Sequence, residues 1–191
     1  MITQSQNSFM QSQIMMMTLS ATVRRNKIYR DTTREAEKKT IRESIASELI
    51  SLQHQYLQPV SESKHMDNIV YLANIISEKH KNLLVNGRFR IGGAQKALNL
   101  YLKYLWCLGK IQPPPHFPID AIMLEKIPEY RGTTWTKIDS IDVYGSIVKT
   151  AKSIANGQTL AQWELNEYNQ ATSTQTLQRN RRGNTKESIW G

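Results

Sequence analysis

Apolar residues recur along this chain at spacings of three and four, and the segments they mark read as helices. Ile41, Ile45, Leu49, Leu52 and Tyr56 define an amphipathic helix that opens at Thr32-Thr-Arg-Glu35, a capping-box pattern, and is stopped by Pro59. Met66, Ile69, Val70, Leu72, Ala73, Ile76 and Leu83 define a second, over about 62–84. Over 93–108 the proportions invert. At about 100° per residue, Gln95, Lys96, Asn99, Lys103 and Trp106 fall in one narrow arc, and nearly everything else is apolar. This predicts a mostly buried central helix with one polar seam, either a core hydrogen-bond network or the floor of a binding cleft. Gly109 follows it in a C-capping position.

Beyond the central helix, Gln112-Pro-Pro-Pro-His-Phe-Pro118 reads as a rigid extended connector. A short helix over 119–127 should pack back through Ile119, Ile122, Met123 and Ile127. Thr136-Lys-Ile-Asp139 fits a cap for a further helix, with Ile138, Ile141, Tyr144, Val148 and Ala151 inward and an end near Asn156-Gly157. Thr159 to Gln162 opens the last, anchored by Leu160, Trp163 and Leu165. No segment alternates as a half-buried strand would. The expectation is an all-α single globular domain over 27–170, about six helices around the buried central one. Two flexible arms flank it: a polar, Met-rich arm over 1–26, with at most a short helix over 10–19, and a basic, disordered tail over 171–191. The arm's methionines fit either an adaptable docking strip or a frayed terminus.

The 191 residues are 39% hydrophobic with a mean hydropathy of −0.51, and no apolar run approaches the length of a membrane span. The run Ile14-Met-Met-Met-Thr-Leu19 lacks the flanks of a signal peptide. One cysteine, Cys107, placed in the apolar helix, rules out an intramolecular disulfide framework or a cysteine zinc cluster and points to a reducing cytoplasm. His54, His65 and His80 have no metal-ligand spacing and read as surface or cap residues; no metal or cofactor is expected.

The net charge of +9 favours polyanionic partners. Its distribution sharpens this: Lys81, Arg88, Arg90, Lys96, Lys103 and Lys110 span a segment without one acid. Gly92-Gly93 leads into a helix N-terminus beside Arg88, Arg90 and Lys96, where exposed N–H groups attract phosphate. The alternative is that these glycines only permit a tight entry to a buried helix. Trp106 and Trp135 are the aromatic residues placed to stack on bases. A small helical nucleic-acid-binding protein follows, DNA ahead of RNA, alone or as a subunit of a complex. Its expected contacts are Arg88, Arg90, Gly92, Gly93, Gln95, Lys96, Asn99, Lys103 and Trp106, with Arg179, Arg181 and Arg182 of the tail.

Gly92-Gly-Ala-Gln-Lys-Ala-Leu-Asn99, an apolar helix, a glycine and Pro118-Ile-Asp120 also resemble the glycine hairpin, lysine and aspartate of the helix-hairpin-helix DNA glycosylase superfamily. The resemblance covers about 91–127. It implies phosphate contact at Gly92 and Gly93, a supporting carboxylate at Asp120 and a Schiff-base nucleophile at Lys96. A cleft holding Asp120 would allow His116 to shuttle protons; otherwise His116 caps a helix, Asp120 caps the 119–127 helix and Lys96 lines the seam. Two alternatives to the binding function therefore stand: a nucleic-acid-processing enzyme at Lys96 and Asp120, and a protein-interaction module.

Overall fold

The apolar excess of the 91–107 segment buries it at the centre of the molecule. A computed structural model describes residues 3–24 and 26–171. Its helices are α1 Gln4–Val23, α2 Glu35–Gln53, α3 Glu62–His80, α4 Ile91–Cys107, the single turn α5 Ala121–Leu124, α6 Ile141–Ala155 and α7, residues 160–171. Among the described residues the only β pairing is one bridge between Tyr29 and Leu84, so the fold is all-α as the periodicity implies. On α4, every residue from Ile91 to Leu105 except Tyr104 is buried. Helices α1, α2, α3 and α6 pack around it. No helix among the described residues is long and apolar enough to cross a membrane.

The N-terminal segment departs most from expectation. Instead of a loose arm with a short helix over 10–19, it is a 20-residue helix lying on α4. Thr3 and Gln6 form a reciprocal capping box at its start. Its buried stripe is Ile14, Thr18 and Thr22, and the Thr22 hydroxyl donates to the Thr18 carbonyl at 2.8 Å. Two of the three buried residues are threonines, so hydropathy alone does not mark the stripe.

Several boundaries also shift. Helix α2 is capped at Arg34, not Thr32: the Arg34 N–H and guanidinium both donate to the Glu37 carboxylate, at 2.8 and 3.0 Å. Thr33 turns away to donate to the Leu83 carbonyl. Helix α3 ends at His80, because Leu83 and Val85 bond to the 28–30 segment instead of continuing the helix. Ser140 caps α6 in place of the 136–139 pattern, and Trp135–Lys137 forms a 3₁₀ turn. The 119–127 helix shrinks to one turn capped by Asp120. Thr159 does cap α7, accepting from the Gln162 N–H, with Leu160 and Trp163 buried.

Gly109 closes α4 at φ +67°. Its N–H donates to Trp106 O and that of Lys110 to Leu105 O, the paired bonds of a Schellman motif. Cys107, expected inside, is exposed in this last turn. The connector is extended, yet His116 and Phe117 are both fully buried. The Phe117 ring meets Trp163 edge-on at 5.3 Å.

Candidate functional site

The polar seam of α4 resolves into three parts. At its centre is a buried, uncharged ladder. Gln95 Nε2 donates to Ile119 O at 2.7 Å while its Oε1 accepts the Ile119 N–H at 3.1 Å, stitching the connector to the helix. Asn99 Nδ2 donates to Phe117 O at 2.9 Å and to the Tyr144 hydroxyl at 3.0 Å, and Asn99 Oδ1 lies 2.8 Å from His65 Nε2. His65 Nδ1 meets the Tyr56 hydroxyl at 2.8 Å, and His116 Nδ1 meets that of Tyr144 at 2.9 Å. The His65 and His116 rings pack edge-on, 4.7 Å apart. Burial pushes both histidines down to about 3, helped at His65 by His116 and at His116 by Lys152. Burial pushes the Tyr56 phenol up to about 12 and raises that of Tyr144 as well. These are groups held neutral.

His65 therefore does not fit the surface or capping role expected of it; it is fully buried. Gln95 and Asn99, expected to reach nucleic acid, are fully buried too. Both are spent on the core, where an unpaired amide would be costly.

The second part is a pair of buried ion pairs. Lys103 Nζ lies 2.8 and 2.7 Å from the two Glu164 oxygens and 4.5 Å from the centre of the Tyr168 ring. The Glu164 carboxyl is nonetheless raised, because burial outweighs the pull of Lys103. Lys96 Nζ donates to Asp120 Oδ2 at 2.7 Å, with side-chain exposures of 7% and 19%. Asp120 Oδ1 accepts the Met123 N–H at 3.1 Å. Capping and ion pairing, posed as alternatives by the sequence, are thus performed together, one oxygen each. This pair borders a cavity of about 610 Å³ lined by Met16, Met17, Arg24, Trp135 and Tyr168 among others. His116 belongs to a different cavity, so it does not share a cleft with Asp120. Trp106 is half-buried at the outer end of the seam, and Trp135 is buried.

The third part is the entry to α4, where the glycines serve packing. A Cβ on Gly92 would stand 2.0 Å from Trp135 O, and one on Gly93 would meet the Phe89 ring and the Asn26 amide. The Gly92 N–H donates to Ile138 O at 2.7 Å, and that of Ile91 to Asp139 at 3.4 Å. The expected phosphate site at Gly92 and Gly93 is therefore closed by the 135–139 segment. Arg88 sits outside, held by Asp139 at 2.9 and 3.0 Å. Arg90 reaches Thr136 O at 3.5 Å.

Sequence reasoning missed a basic groove of about 410 Å³ at the junction after α1. It is lined by Arg24, Lys27, Arg30 and Lys38 with Tyr29, Asn26 and one acid, Asp31. Asn26 and Lys27 also line a small adjoining cleft with Arg88 and Arg90. The Tyr29–Leu84 bridge and the bond from Arg30 Nε to Leu84 O hold the two strips of chain together. Asn26 Nδ2 is turned inward against Gly93, buried without a partner among the described residues. The cluster Arg24-Arg25-Asn26-Lys27 was the signal available in the sequence. Arg179, Arg181 and Arg182 lie outside the described residues. Comparisons with protein-family models, curated proteins and solved structures find no match to this chain.

Proposed function

We propose that the protein binds nucleic acid, with DNA the expected ligand, through the basic groove after α1 and the surface beside it that carries Arg88 and Arg90. The observation that carries this reading is uncompensated charge. Among the described residues, none of Arg24, Arg30 and Arg90 has a carboxylate at ion-pair distance, whereas Lys27 and Arg88 pair with Asp31 and Asp139. Phosphate oxygens accept from such guanidinium N–H groups. The net charge of +9 supplies long-range attraction.

Anisotropy titrations with short duplex DNA, single-stranded DNA and RNA over a range of salt test this. Log affinity should fall with log salt at about −0.9 per duplex phosphate neutralised. Combining Arg24→Ala, Arg30→Ala and Arg90→Ala should flatten that slope by roughly 2–3. Absence of salt-sensitive binding in the unaltered chain overturns the reading; an unchanged slope in the variant removes this groove from it. The enzyme alternative at Lys96 and Asp120 has less behind it. Schiff-base chemistry would need Lys96 to leave a partner that also caps α5. The protein-interaction alternative rests on α1, where Phe9, Met10, Met16 and Met17 are exposed.

A further inference from the structure

His116 terminates a run of hydrogen bonds whose direction is fixed by chemistry. Phe117 O can only accept, so the Asn99 amide nitrogen faces it and Asn99 Oδ1 faces His65. His65 Nε2 must then carry a proton, leaving Nδ1 to accept from the Tyr56 hydroxyl, whose oxygen receives Asn68 Nδ2 at 3.0 Å. On the other side, Asn99 Nδ2 donates to the Tyr144 oxygen, and His116 Nδ1 is the acceptor within reach of the Tyr144 proton among the described residues, so the Tyr144 hydroxyl donates to His116 Nδ1. A neutral imidazole that accepts at Nδ1 carries its proton on Nε2. Every member of the ladder is satisfied up to this last atom. His116 Nε2 is buried and has no partner among the described residues, in a residue 0% exposed.

His116 lines a cavity of about 260 Å³ between α3 and α6, together with Glu62, Met66, Gly145, Val148, Lys149 and Lys152. A water occupies about 30 Å³ of liquid, so the space exceeds what one solvent molecule needs. Its chemistry is mixed. Lys152 pairs with Glu62, and Lys149 has no carboxylate at ion-pair distance among the described residues. Met66, Val148 and the bare Gly145 backbone form an apolar wall.

We propose that this cavity binds a small monocarboxylate, one oxygen accepting from His116 Nε2–H and the charge facing Lys149. The orphan atom is a donor, so the ligand must present an acceptor. The cation left over at the rim selects a negative one. The wall accommodates a short apolar body. The site is separate from the basic groove and does not depend on the nucleic-acid reading.

Butyrate and benzoate, with butyramide as the uncharged match, can be titrated into the full chain while the imidazole nitrogens are followed by long-range proton–nitrogen NMR. Either acid should shift the His116 Nε2–H signal saturably, and butyramide should bind more weakly. Because His116 is part of the core, the variants are placed elsewhere. Gly145→Leu fills the cavity from its wall, where an added Cβ would stand 3.3 Å from the flexible end of Met66. Lys149→Ala removes the rim charge. Each should weaken the acids by about tenfold or more, about 1.4 kcal/mol. The proposal is overturned if neither acid shifts His116, if butyramide binds as tightly, if neither variant changes the affinity, or if the only partner detected is a long-lived water.

Discussion

Arg90 and Lys96 belong to one run of cations in the sequence and to two environments in the fold. Arg90 stands at the edge of α4 in the small cleft adjoining the basic groove, with only a carbonyl for a partner among the described residues. Lys96 points inward and is met by Asp120; further along the same seam, Lys103 is met by Glu164. A cation on the inner face survives burial only beside a carboxylate, and the chain brings those acids from distant segments. Its charge then cancels and projects little outward. A cation at the edge keeps its field. A basic run in a sequence is therefore not a basic surface; here the surface arises where 24–30 and 85–90 converge.

The sharpest break of this contrast is to leave a buried acid alone. Lys103→Met should destabilise the protein by about 3–5 kcal/mol, and adding Glu164→Leu should restore much of that, measured by denaturant unfolding. A small loss in the single variant would show that the pair is solvated. Acidification acts on the neutral ladder next. His65 and His116 titrate below their ordinary value of 6.5 when folded, so their contribution is complete above 6.5 and lost as pH falls towards about 3. The slope approaches roughly 1.4 kcal/mol per pH unit for each, or about 2–4 kcal/mol between pH 6.5 and 5. Glu164 runs the other way. Its raised carboxyl favours the fold fully below the unfolded value of 4.5, and that benefit is lost as pH rises through its folded value. Calorimetry at pH 7 and 5 should show a clear fall in Tm, and a flat profile would mean that the histidines protonate in place.

Asp120→Asn sharpens the comparison further. It keeps the cap, since asparagine caps about as well, but deprives Lys96 of its counter-charge, and should cost about 1.5–3 kcal/mol. No measurable loss would leave Asp120 as a cap alone. On the exposed side, Arg24→Ala and Lys27→Ala should change stability by no more than about 0.5 kcal/mol each. A larger loss would show that these cations are structural.

The helices α2, α3, α4, α6 and α7 could be read from the sequence because their buried faces are apolar at helical spacing. Helix α1 could not, since its stripe is completed by Thr18 and Thr22. The ladder was half visible. Gln95 and Asn99 deep in an apolar helix announce a network, and His65 lies in phase with Ile69, Leu72 and Ile76. Its partners were not visible, because Tyr56, His116 and Tyr144 come from other segments and no local spacing links them. The two readings of Gly92-Gly93 look identical in sequence. Only the position of Trp135 O decides between them.

The ladder has a last consequence, for how the chain comes apart. Its members come from the turn after α2, from α3, α4, the connector and α6, so no fragment can complete it. A partly assembled chain with α4 enclosed but the connector unthreaded would leave Asn99, Gln95 and His65 desolvated without partners, a penalty of about 1–3 kcal/mol for each group. Such half-built states are suppressed. The molecule between α2 and α6 should open as one cooperative unit, with amides of the connector and of α4 exchanging with solvent at a common rate instead of fraying in sequence.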